Sequence, residues 1–511
     1  MENVCNCSTS IWQGQAKHTF PMARDSLRED LTVDVCIVGG GIAGLTSAYC
    51  LLEQGYSVAL LDESTLCRGQ SARTTAHLSN ALDDHYYELE EMFGEEGTRL
   101  AAESHAAAID FIETLIKKHQ IECQFERVNA YLFCAPGDSQ NKLDKELKAT
   151  HRAGLTDVHL IDKAPFASFD TGRCVVFPKQ AQFSPIPYFH ALSDLIVEKG
   201  GKLFLGTHVE EVKDGEPCEV TTRGNHKVTC KSVIVATNTP FNSRVIMQIK
   251  QAAYRSYVIA GLIDPNEVPP GLYYDTLDPY HYVRVSKELE GTYLIVGGED
   301  HKTGQDEHPT ESYYASLEKW TREHFASFRD VTYKWSGQII EPIDGLAYIG
   351  RCPLDKNIYI ATGDSGNGLT HGTIAGLLLT DLIMKKENRW EQLYDPSRVS
   401  LKAFPEFAKE NCNTAAQYLD WIGSGDVKGV EDIAPGSGAI LSNGLKKVAV
   451  YKDEEGNLHS FSAVCPHLKA IVQWNSEEKS WDCPAHGSRF TCHGEVIDGP
   501  ANDSLCTHEA K

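Results

Sequence analysis

The chain has 511 residues and a formal net charge of −23 at pH 7. A chain of this length exceeds one ordinary hydrophobic core and predicts two or more domains. Because the acidic excess is spread along the chain, nucleic acid and anionic membrane surfaces are not expected as partners. No apolar run reaches the length of a membrane span, so a soluble cytoplasmic protein is the default interpretation.

The chain contains 16 cysteines, which is below the density of a small disulfide-rich scaffold. Cys36 and Cys50 fall inside apolar runs and are predicted to be buried. Cys5 and Cys7 form a Cys-x-Cys pair in a polar N-terminal segment, where free thiols are the simpler interpretation. We assign these two no role.

The first half of the sequence reads as an α/β domain. Residues 1–30 are polar and lack a sustained period, so they predict an irregular N-terminal extension. A strand over Val33 to Val38, a helix over Ile42 to Gln54 and a strand over Tyr56 to Leu61 form a predicted βαβ unit. A helix from Tyr86 to Gln120 carries an apolar stripe and is expected to pack on the core.

In the second half of the sequence the predicted pattern of helices and strands changes twice. An α/β passage from Tyr188 to Ala236 is expected to rejoin the first sheet. Between Arg255 and Trp335 short strands rich in Tyr, Val and Ile predict an inserted sheet. After a strand at 358–361 and a helix at about 371–385, the last 85 or so residues contain short strands and turns that predict a small β domain.

Gly39, Gly41 and Gly44 stand between the first predicted strand and helix in the pattern Gly-x-Gly-x-x-Gly, and Asp62 ends the next strand. The glycines permit a tight turn, close approach of backbone N–H groups to a pyrophosphate, and close helix packing. Asp62 is placed to accept a hydrogen bond from the adenosine ribose. This pattern indicates a dinucleotide site but does not distinguish FAD from NAD.

Cys465 and His467, followed by Cys483 and His486, make the most specific pattern in the sequence. Two cysteines and two histidines, one of each per loop, are the ligand set of a Rieske [2Fe–2S] cluster. A Cys₂His₂ zinc site has the same ligand types, but such sites usually begin with Cys-x₂₋₄-Cys. Ala485 stands where respiratory Rieske proteins have a disulfide cysteine. Phe490 stands where high-potential clusters often have a hydrogen-bonding tyrosine, which leaves Ser488 as the expected donor to a cluster sulfur. Fewer such bonds predict a reduction potential in the lower part of the Rieske range.

Residues 31–400 resemble the D-amino-acid-oxidase-like, or glycine-oxidase-like, FAD oxidoreductases. Beyond the glycine motif, the resemblance is carried by the segments 71–77, 233–237, 344–345 and 361–364. It implies that Asp364 binds ribityl hydroxyls, and some relatives attach flavin through a histidine near the position of His77. The residues expected to bind FAD are Gly39, Gly41, Ile42, Ala43, Gly44, Asp62, Arg73, Thr74, Thr75, Ala76, Val209, Thr237, Gly363, Asp364, Asn367, Gly368, Leu369 and Thr370.

The expected fold is therefore an α/β Rossmann-type FAD domain with an inserted mixed β-sheet substrate domain, followed by a small all-β Rieske domain. The predicted boundaries are 1–30 for the extension, 31–422 for the oxidoreductase domain and 427–511 for the Rieske domain. Within the second, the nucleotide-binding parts are about 31–85, 180–245 and 336–400, and the substrate parts about 120–180 and 246–335.

A flavin accepts two electrons and a Rieske cluster carries one at a time, so the expected function is a dehydrogenase. The resemblance implies that an amine or amino acid gives hydride to FAD, and electrons leave singly to an external one-electron acceptor protein. Relatives place substrate-binding groups in the inserted sheet, where Arg255, Tyr257, Tyr282 and Arg284 are the candidates. The alternatives are an NAD(P)H-dependent reductase that feeds a partner enzyme and a redox sensor without a product. A Rieske oxygenase is disfavoured, because no closely spaced histidine pair is joined to an acid.

Overall fold

The structure is a computed structural model that describes residues 8–16, 25–66, 68–242, 246–305, 312–400, 402–443 and 446–507. Cys5 and Cys7 lie outside these residues. Within the described part of the chain, no helix combines the length and apolar character that crossing a bilayer requires.

A central sheet organises the α/β part of the chain. Its strands, in spatial order, are Tyr348–Arg351, Ile358–Thr362, Ser232–Val235, Val35–Val38, Val58–Leu61 and Lys202–Phe204. The first two pair antiparallel and the other neighbours pair parallel. The inner strands are buried on both faces, as expected for parallel strands covered by helices. The predicted βαβ unit and the return of the second α/β passage to the same sheet are both present.

The main helices of this part are Ile42–Glu53, Tyr86–His119, Pro185–Glu198 and Gly368–Ile383. Glycines allow the first and last of these to approach closely, since a Cβ on Gly376 would lie 2.4 Å from the Thr46 side chain. The long helix is kinked at Gly94, whose φ of 72° is outside the helical region. Shorter helices are Ile11–Gln15, Asn141–Arg152, Tyr313–His324, Glu391–Tyr394 and Phe404–Ala416, with 3₁₀ turns at Gln70–Ala72, Gln248–Lys250, Gln417–Trp421 and Val430–Asp432.

A large mixed sheet forms the second layer. Its strands, in spatial order, are Val331–Pro342, Gln251–Leu262, Gly291–Lys302, Tyr282–Glu288, Leu272–Asp275, Glu126–Phe133, Cys174–Gln182 and His77–Leu78, with His159–Ile161 beside Cys174–Gln182. The predicted boundary at residue 336 falls inside the first of these strands, which pairs along its length with Gln251–Leu262. A smaller sheet contains Leu31–Thr32, Lys227–Cys230, Cys218–Thr222 and Val209–Lys213.

The C-terminal part folds around its own core. Two antiparallel sheets contain Ser437–Asn443, Lys446–Lys452 and Leu458–Ser462, and Gln473–Asn475, Ser480–Asp482, Arg489–Thr491 and Val496–Asp498. Trp481 and Phe490 are fully buried between them. This all-β architecture confirms the predicted fold class, which combines an α/β core, a mixed sheet and a small β domain.

The N-terminal extension differs from the irregular segment that the sequence predicts. Ile11–Gln15 form a short helix capped by Ser10, and Ile11 and Trp12 are buried in the main core. The Trp12 indole donates a hydrogen bond to the Thr74 carbonyl at 2.7 Å. A five-residue helix is too short to show a helical period in the sequence, and for that reason the sequence does not predict it.

Candidate functional site

The glycine loop has the geometry that a dinucleotide pyrophosphate requires. Gly39 has a φ of +107°, and a Cβ on Gly44 would lie 1.9 Å from the Gly39 carbonyl oxygen. The helix that follows has Gly41 as its N-cap, and no described side chain caps it in the usual way. The N–H groups of Ala43 and Gly44 therefore lie at a helix N-terminus suited to phosphate.

Asp62 lies at the end of the second strand, beside the glycine loop. Its Oδ2 atom accepts the Gly40 N–H at 2.7 Å and its Oδ1 atom accepts the Ser64 N–H at 2.8 Å. Because each carboxylate oxygen can accept more than one hydrogen bond, the group can still accept a ribose hydroxyl. These two backbone bonds fix its orientation.

The loop 70–77 runs from the glycine loop to the mixed sheet. The Ser71 hydroxyl accepts the Ile42 N–H at 3.2 Å, which ties the loop to the helix N-terminus. Arg73 is buried, and its guanidinium group donates to Ser8 Oγ at 3.0 Å and to the Ser336 carbonyl at 2.9 Å. Those contacts direct the arginine towards the extension and the mixed sheet.

The end of that loop is held by a second arginine. Arg284, predicted to bind substrate, donates to the carbonyls of Thr75, Ala76 and Phe183 at 3.1, 2.9 and 3.3 Å. Burial lowers its pKa to about 9, and Ala76 takes a φ of +61°. The guanidinium group thus supports the backbone of the loop expected to lie along FAD.

The late loop approaches the same region from the other side. Gly363 has a φ of +77°, and Asp364 Oδ1 accepts the Ile340 N–H at 2.8 Å. Burial raises the pKa of Asp364 to about 6. Asn367 is the N-cap of the helix Gly368–Ile383, and no described side chain caps that helix either.

The loops 70–77 and 363–370 therefore lie beside two neighbouring helix N-termini, since Ser71 accepts the Ile42 N–H and a Cβ on Gly372 would lie 2.5 Å from the Ile42 side chain. The residues present fit FAD. Leu369 and Thr370 are buried at the start of the helix Gly368–Ile383, and Thr237 follows the strand Ser232–Val235. Val209 begins a strand of the smaller sheet, where its carbonyl accepts a hydrogen bond from Asn502 at 3.1 Å.

The four predicted cluster ligands converge in the C-terminal part. Cys465 and Cys483 are buried, and their thiols lie within hydrogen-bonding reach of each other. The rings of His467 and His486 are 5.2 Å apart and perpendicular. The Nδ1 atoms of both rings are buried and have no hydrogen-bond partner among the described residues, as expected for imidazoles that hold a metal.

The donor set fits a two-iron cluster better than one metal ion. Within the described residues, no three His, Cys, Asp or Glu side chains are placed to hold a single ion. A zinc site needs four such ligands around one ion, whereas each iron of a Rieske cluster takes two protein ligands. The Ser488 hydroxyl bonds to Cys465 and accepts the Ala501 N–H at 2.9 Å, so it lies beside the thiolate as the sequence suggests.

The mixed sheet separates two of the predicted substrate residues from the other two. Arg255 is fully buried and contacts Asp498 at 3.3 Å, while the Tyr257 hydroxyl lies 3.5 Å from Asn475 Nδ2. Both side chains therefore face the cluster domain. Tyr282 bonds through its hydroxyl to Ser256 at 2.7 Å, on the opposite face of the sheet.

On that opposite face the structure brings together a group of buried polar side chains that the sequence does not predict. We call this group the acid-phenol pocket; it comprises Asp83, Ser256, Tyr280, Tyr282 and Asp300. Tyr280 donates to Asp83 Oδ2 at 2.7 Å, and Ser256 hydrogen-bonds to Asp300. Asp300 Oδ1 is buried and accepts no hydrogen bond from a described residue.

Burial changes the acid-base properties of this pocket. It raises the pKa of Asp83 to about 8 and that of Asp300 to about 7. Asp83 also touches the late loop, because its N–H lies 3.3 Å from Asn367 Oδ1 and its carboxylate packs on Gly366. The pocket thus adjoins the expected FAD site.

These features define a class of protein, a flavin-dependent oxidoreductase that also carries an iron–sulfur domain. Residues 34–382 match the family model described as FAD dependent oxidoreductase, and residues 425–509 match the Rieske [2Fe-2S] domain. The chain belongs to the FAD dependent oxidoreductase family, and it binds FAD and a Rieske [2Fe–2S] cluster.

Individual relatives agree with this assignment. The putative Rieske 2Fe-2S iron-sulfur protein YhfW of Bacillus subtilis is 34% identical over 481 residues, which are 93% of each chain. Gamma-glutamylputrescine oxidoreductase of Escherichia coli is 26% identical and matches 75% of this chain and 91% of its own. Glycine oxidase from Geobacillus kaustophilus shares the fold, with a TM-score of 0.59, 18% identity, and coverage of 72% of this chain and 99% of that one.

Proposed function

We propose that the protein oxidises a cationic amine by hydride transfer to FAD and releases the electrons singly through the Rieske cluster to an external acceptor protein. The observation that carries this proposal is the acid-phenol pocket beside the two FAD loops. A buried carboxylate oxygen without a partner is unfavourable on its own and is compensated by a cation. An alkylammonium group supplies both the charge and the hydrogen-bond donors.

The arginines support an amine over an amino acid. Arg284 donates to three backbone carbonyls and Arg255 faces the cluster domain, so neither is placed to clamp a substrate carboxylate. Both stay predictions as substrate residues, but the contacts favour a substrate recognised through its nitrogen. Gamma-glutamylputrescine oxidoreductase, whose name gives an amine as substrate, is a relative over 403 residues.

Hydride leaves a carbon only when the neighbouring nitrogen is neutral, so the ammonium group must first lose a proton. The Asp300 Oδ1 atom can accept this proton, because burial raises the pKa of the carboxyl group to about 7, which suits a general base at neutral pH. The Tyr280 hydroxyl donates to Asp83 and holds it in place, and the Tyr282 ring packs against the Tyr280 ring at a centroid distance of 5.7 Å. FAD, when bound, accepts the hydride.

The test is anaerobic mixing of the purified protein, with its cluster intact, with putrescine, γ-glutamylputrescine, glycine, L-proline, NADH and NADPH. The expected result is bleaching of the flavin by an amine, followed by reduction of the cluster. Asp300→Asn should slow bleaching strongly, whereas the matched variant Asp330→Asn, at an exposed carboxylate, should not.

Bleaching by NADH or NADPH alone would overturn the proposal and favour the reductase. Bleaching by none of the six would also contradict it and favour a redox sensor. Bleaching by glycine or L-proline, but not by putrescine or γ-glutamylputrescine, would retain hydride transfer to FAD and refute the preference for an amine over an amino acid.

A further inference from the structure

The strands Gln251–Leu262 and Val331–Pro342 separate the pocket from the cluster domain. Successive side chains of a strand point to opposite faces. Ala253, Arg255 and Gln338 contact the cluster domain, whereas Ser256 and Glu341 lie on the other face, with the pocket and the late loop. These two strands therefore lie between the pocket and the cluster loop.

At the edge of this sheet, two glutamines connect the cluster domain with the loop 70–77. Gln338 lies on the edge strand and is 3% exposed. Its Nε2 atom donates to the Gly487 carbonyl at 2.6 Å, next to the cluster ligand His486. Its backbone N–H donates to Gln70 Oε1 at 2.7 Å. Gln338 thus contacts the cluster loop and the loop 70–77 at once.

Gln70 completes the connection. Its Nε2 atom donates to Asp498 Oδ1 at 2.6 Å in the cluster domain, while the adjacent Ser71 accepts the N–H of Ile42 at the start of the helix Ile42–Glu53. Gly487 fits closely here, since a Cβ at this position would lie 2.2 Å from the Ala253 side chain. The cluster loop therefore sits directly on the sheet.

A buried ion cluster holds the same interface. We define the interface ion cage as Arg73, Arg255 and Arg489 with Glu478, Asp482 and Asp498, three positive and three negative groups, all buried. Arg255 and Arg489 contact Asp498 at 3.3 and 3.1 Å, and Arg73 and Arg489 lie 3.9 and 3.7 Å from Glu478. Such a balanced, desolvated network favours one fixed docking position.

We propose that Gln70 and Gln338 are positioning residues that fix the cluster loop against the FAD-binding loop and define the route of electron transfer within the chain. The proposal rests on the proposed function only for the source of the electrons. Oxidation of one amine to an imine releases two electrons and two protons overall. Because the cluster carries one electron at a time, the route is used twice per turnover, and two molecules of one-electron acceptor are reduced.

The experiment needs no substrate. The bound flavin of the holoenzyme is reduced by light with oxalate as sacrificial donor, and the EPR signal of the reduced cluster is followed in time. We expect Gln338→Leu to slow cluster reduction about tenfold, because loss of one buried bond changes a docking equilibrium by about that factor. Gln305→Leu is the matched control. Gln305 also donates to the cluster loop, at the Pro484 carbonyl, but its other side-chain contact among the described residues is with Asn413 and not with the loop 70–77.

Two further measurements separate positioning from loss of structure. The midpoint potential of the cluster should be unchanged in Gln338→Leu, and amide hydrogen exchange should increase in the loops 69–76 and 483–488. Unchanged cluster reduction in Gln338→Leu would overturn the proposal. Equal slowing in Gln305→Leu would overturn it too, since any contact to the cluster loop would then suffice. Failure of every amine to bleach the flavin would contradict the proposed function, but it would not affect the result of the light-driven cluster reduction.

Discussion

Replacing Glu478 by glutamine tests whether the interface ion cage holds the two domains together. Glu478 is 1% exposed, accepts from Tyr314 at 2.7 Å and from Ser8 at 3.0 Å, and faces Arg73 and Arg489. Glutamine keeps the shape but leaves three guanidinium groups with two carboxylates. Removing one partner from a buried ion pair costs about 3–5 kcal/mol. Since about 1.4 kcal/mol is a factor of ten, the open interface becomes more populated by about two to three and a half orders of magnitude.

Native-state hydrogen exchange of the strands Gln473–Asn475 and Ser480–Asp482 measures this opening directly. The control is Arg223→Met, which removes an exposed cross-domain pair with Asp503 and should cost at most about 1 kcal/mol. Burial raises the pKa of Glu478, but Arg489, Arg255 and Arg73 outweigh it and hold the pKa near 2. A depressed pKa stabilises the fold above the unfolded value of about 4.3, and this contribution is lost as pH falls towards 2. Exchange no faster in Glu478→Gln than in the control would refute the reasoning.

Three other outcomes follow from the sites. Gly44→Ala should purify with little FAD, because the new methyl carbon would lie 1.9 Å from a backbone oxygen. The control Gly69→Ala, whose methyl carbon would meet no atom within 4 Å, should keep its flavin. Equal flavin contents in the two variants would contradict this. Flavin bleaching by an amine should accelerate as pH rises through about 7 and about 8, the raised pKa values of Asp300 and Asp83, and a flat profile would remove both acids from the mechanism. Cys483→Ser should lose the EPR signal of the cluster and retain FAD, because the cluster domain has its own core; loss of both cofactors would show that the two sites fold together.

Much of the fold and of the two cofactor sites could be predicted, because the residues that define them lie close together in the sequence. The glycine loop and the two Cys/His loops each place their groups within a few residues, because a pyrophosphate or an iron must be held by neighbouring backbone and side chains. The parallel strands were recognisable as continuous apolar runs beside a helix. Fold class, a dinucleotide site and the iron–sulfur cluster could therefore be derived from these patterns, whereas the choice of FAD over NAD depended on the family resemblance.

The acid-phenol pocket could not be predicted in the same way. Asp83, Ser256 and Asp300 are far apart in the chain and meet only after the mixed sheet has paired. The strand Gln251–Leu262 is largely buried on both faces, so its sequence lacks the alternation that would show which side chains face the pocket. For that reason the sequence predicts one shared site for Arg255, Tyr257 and Tyr282, whereas the side chains of Arg255 and Tyr257 face the cluster domain. The adjacent acids in Gly297–Lys302 were the available signal for Asp300.

The sheet between the pocket and the cluster has a consequence for steady-state kinetics. A substrate in the pocket and an acceptor at the cluster domain approach opposite faces of the strands Gln251–Leu262 and Val331–Pro342, so neither blocks the entry of the other. Under the proposed function, the acceptor need not wait for the imine to leave. We expect a ternary complex of enzyme, amine and acceptor, with intersecting rather than parallel double-reciprocal plots, unlike an enzyme in which oxygen must enter the space that the product vacates.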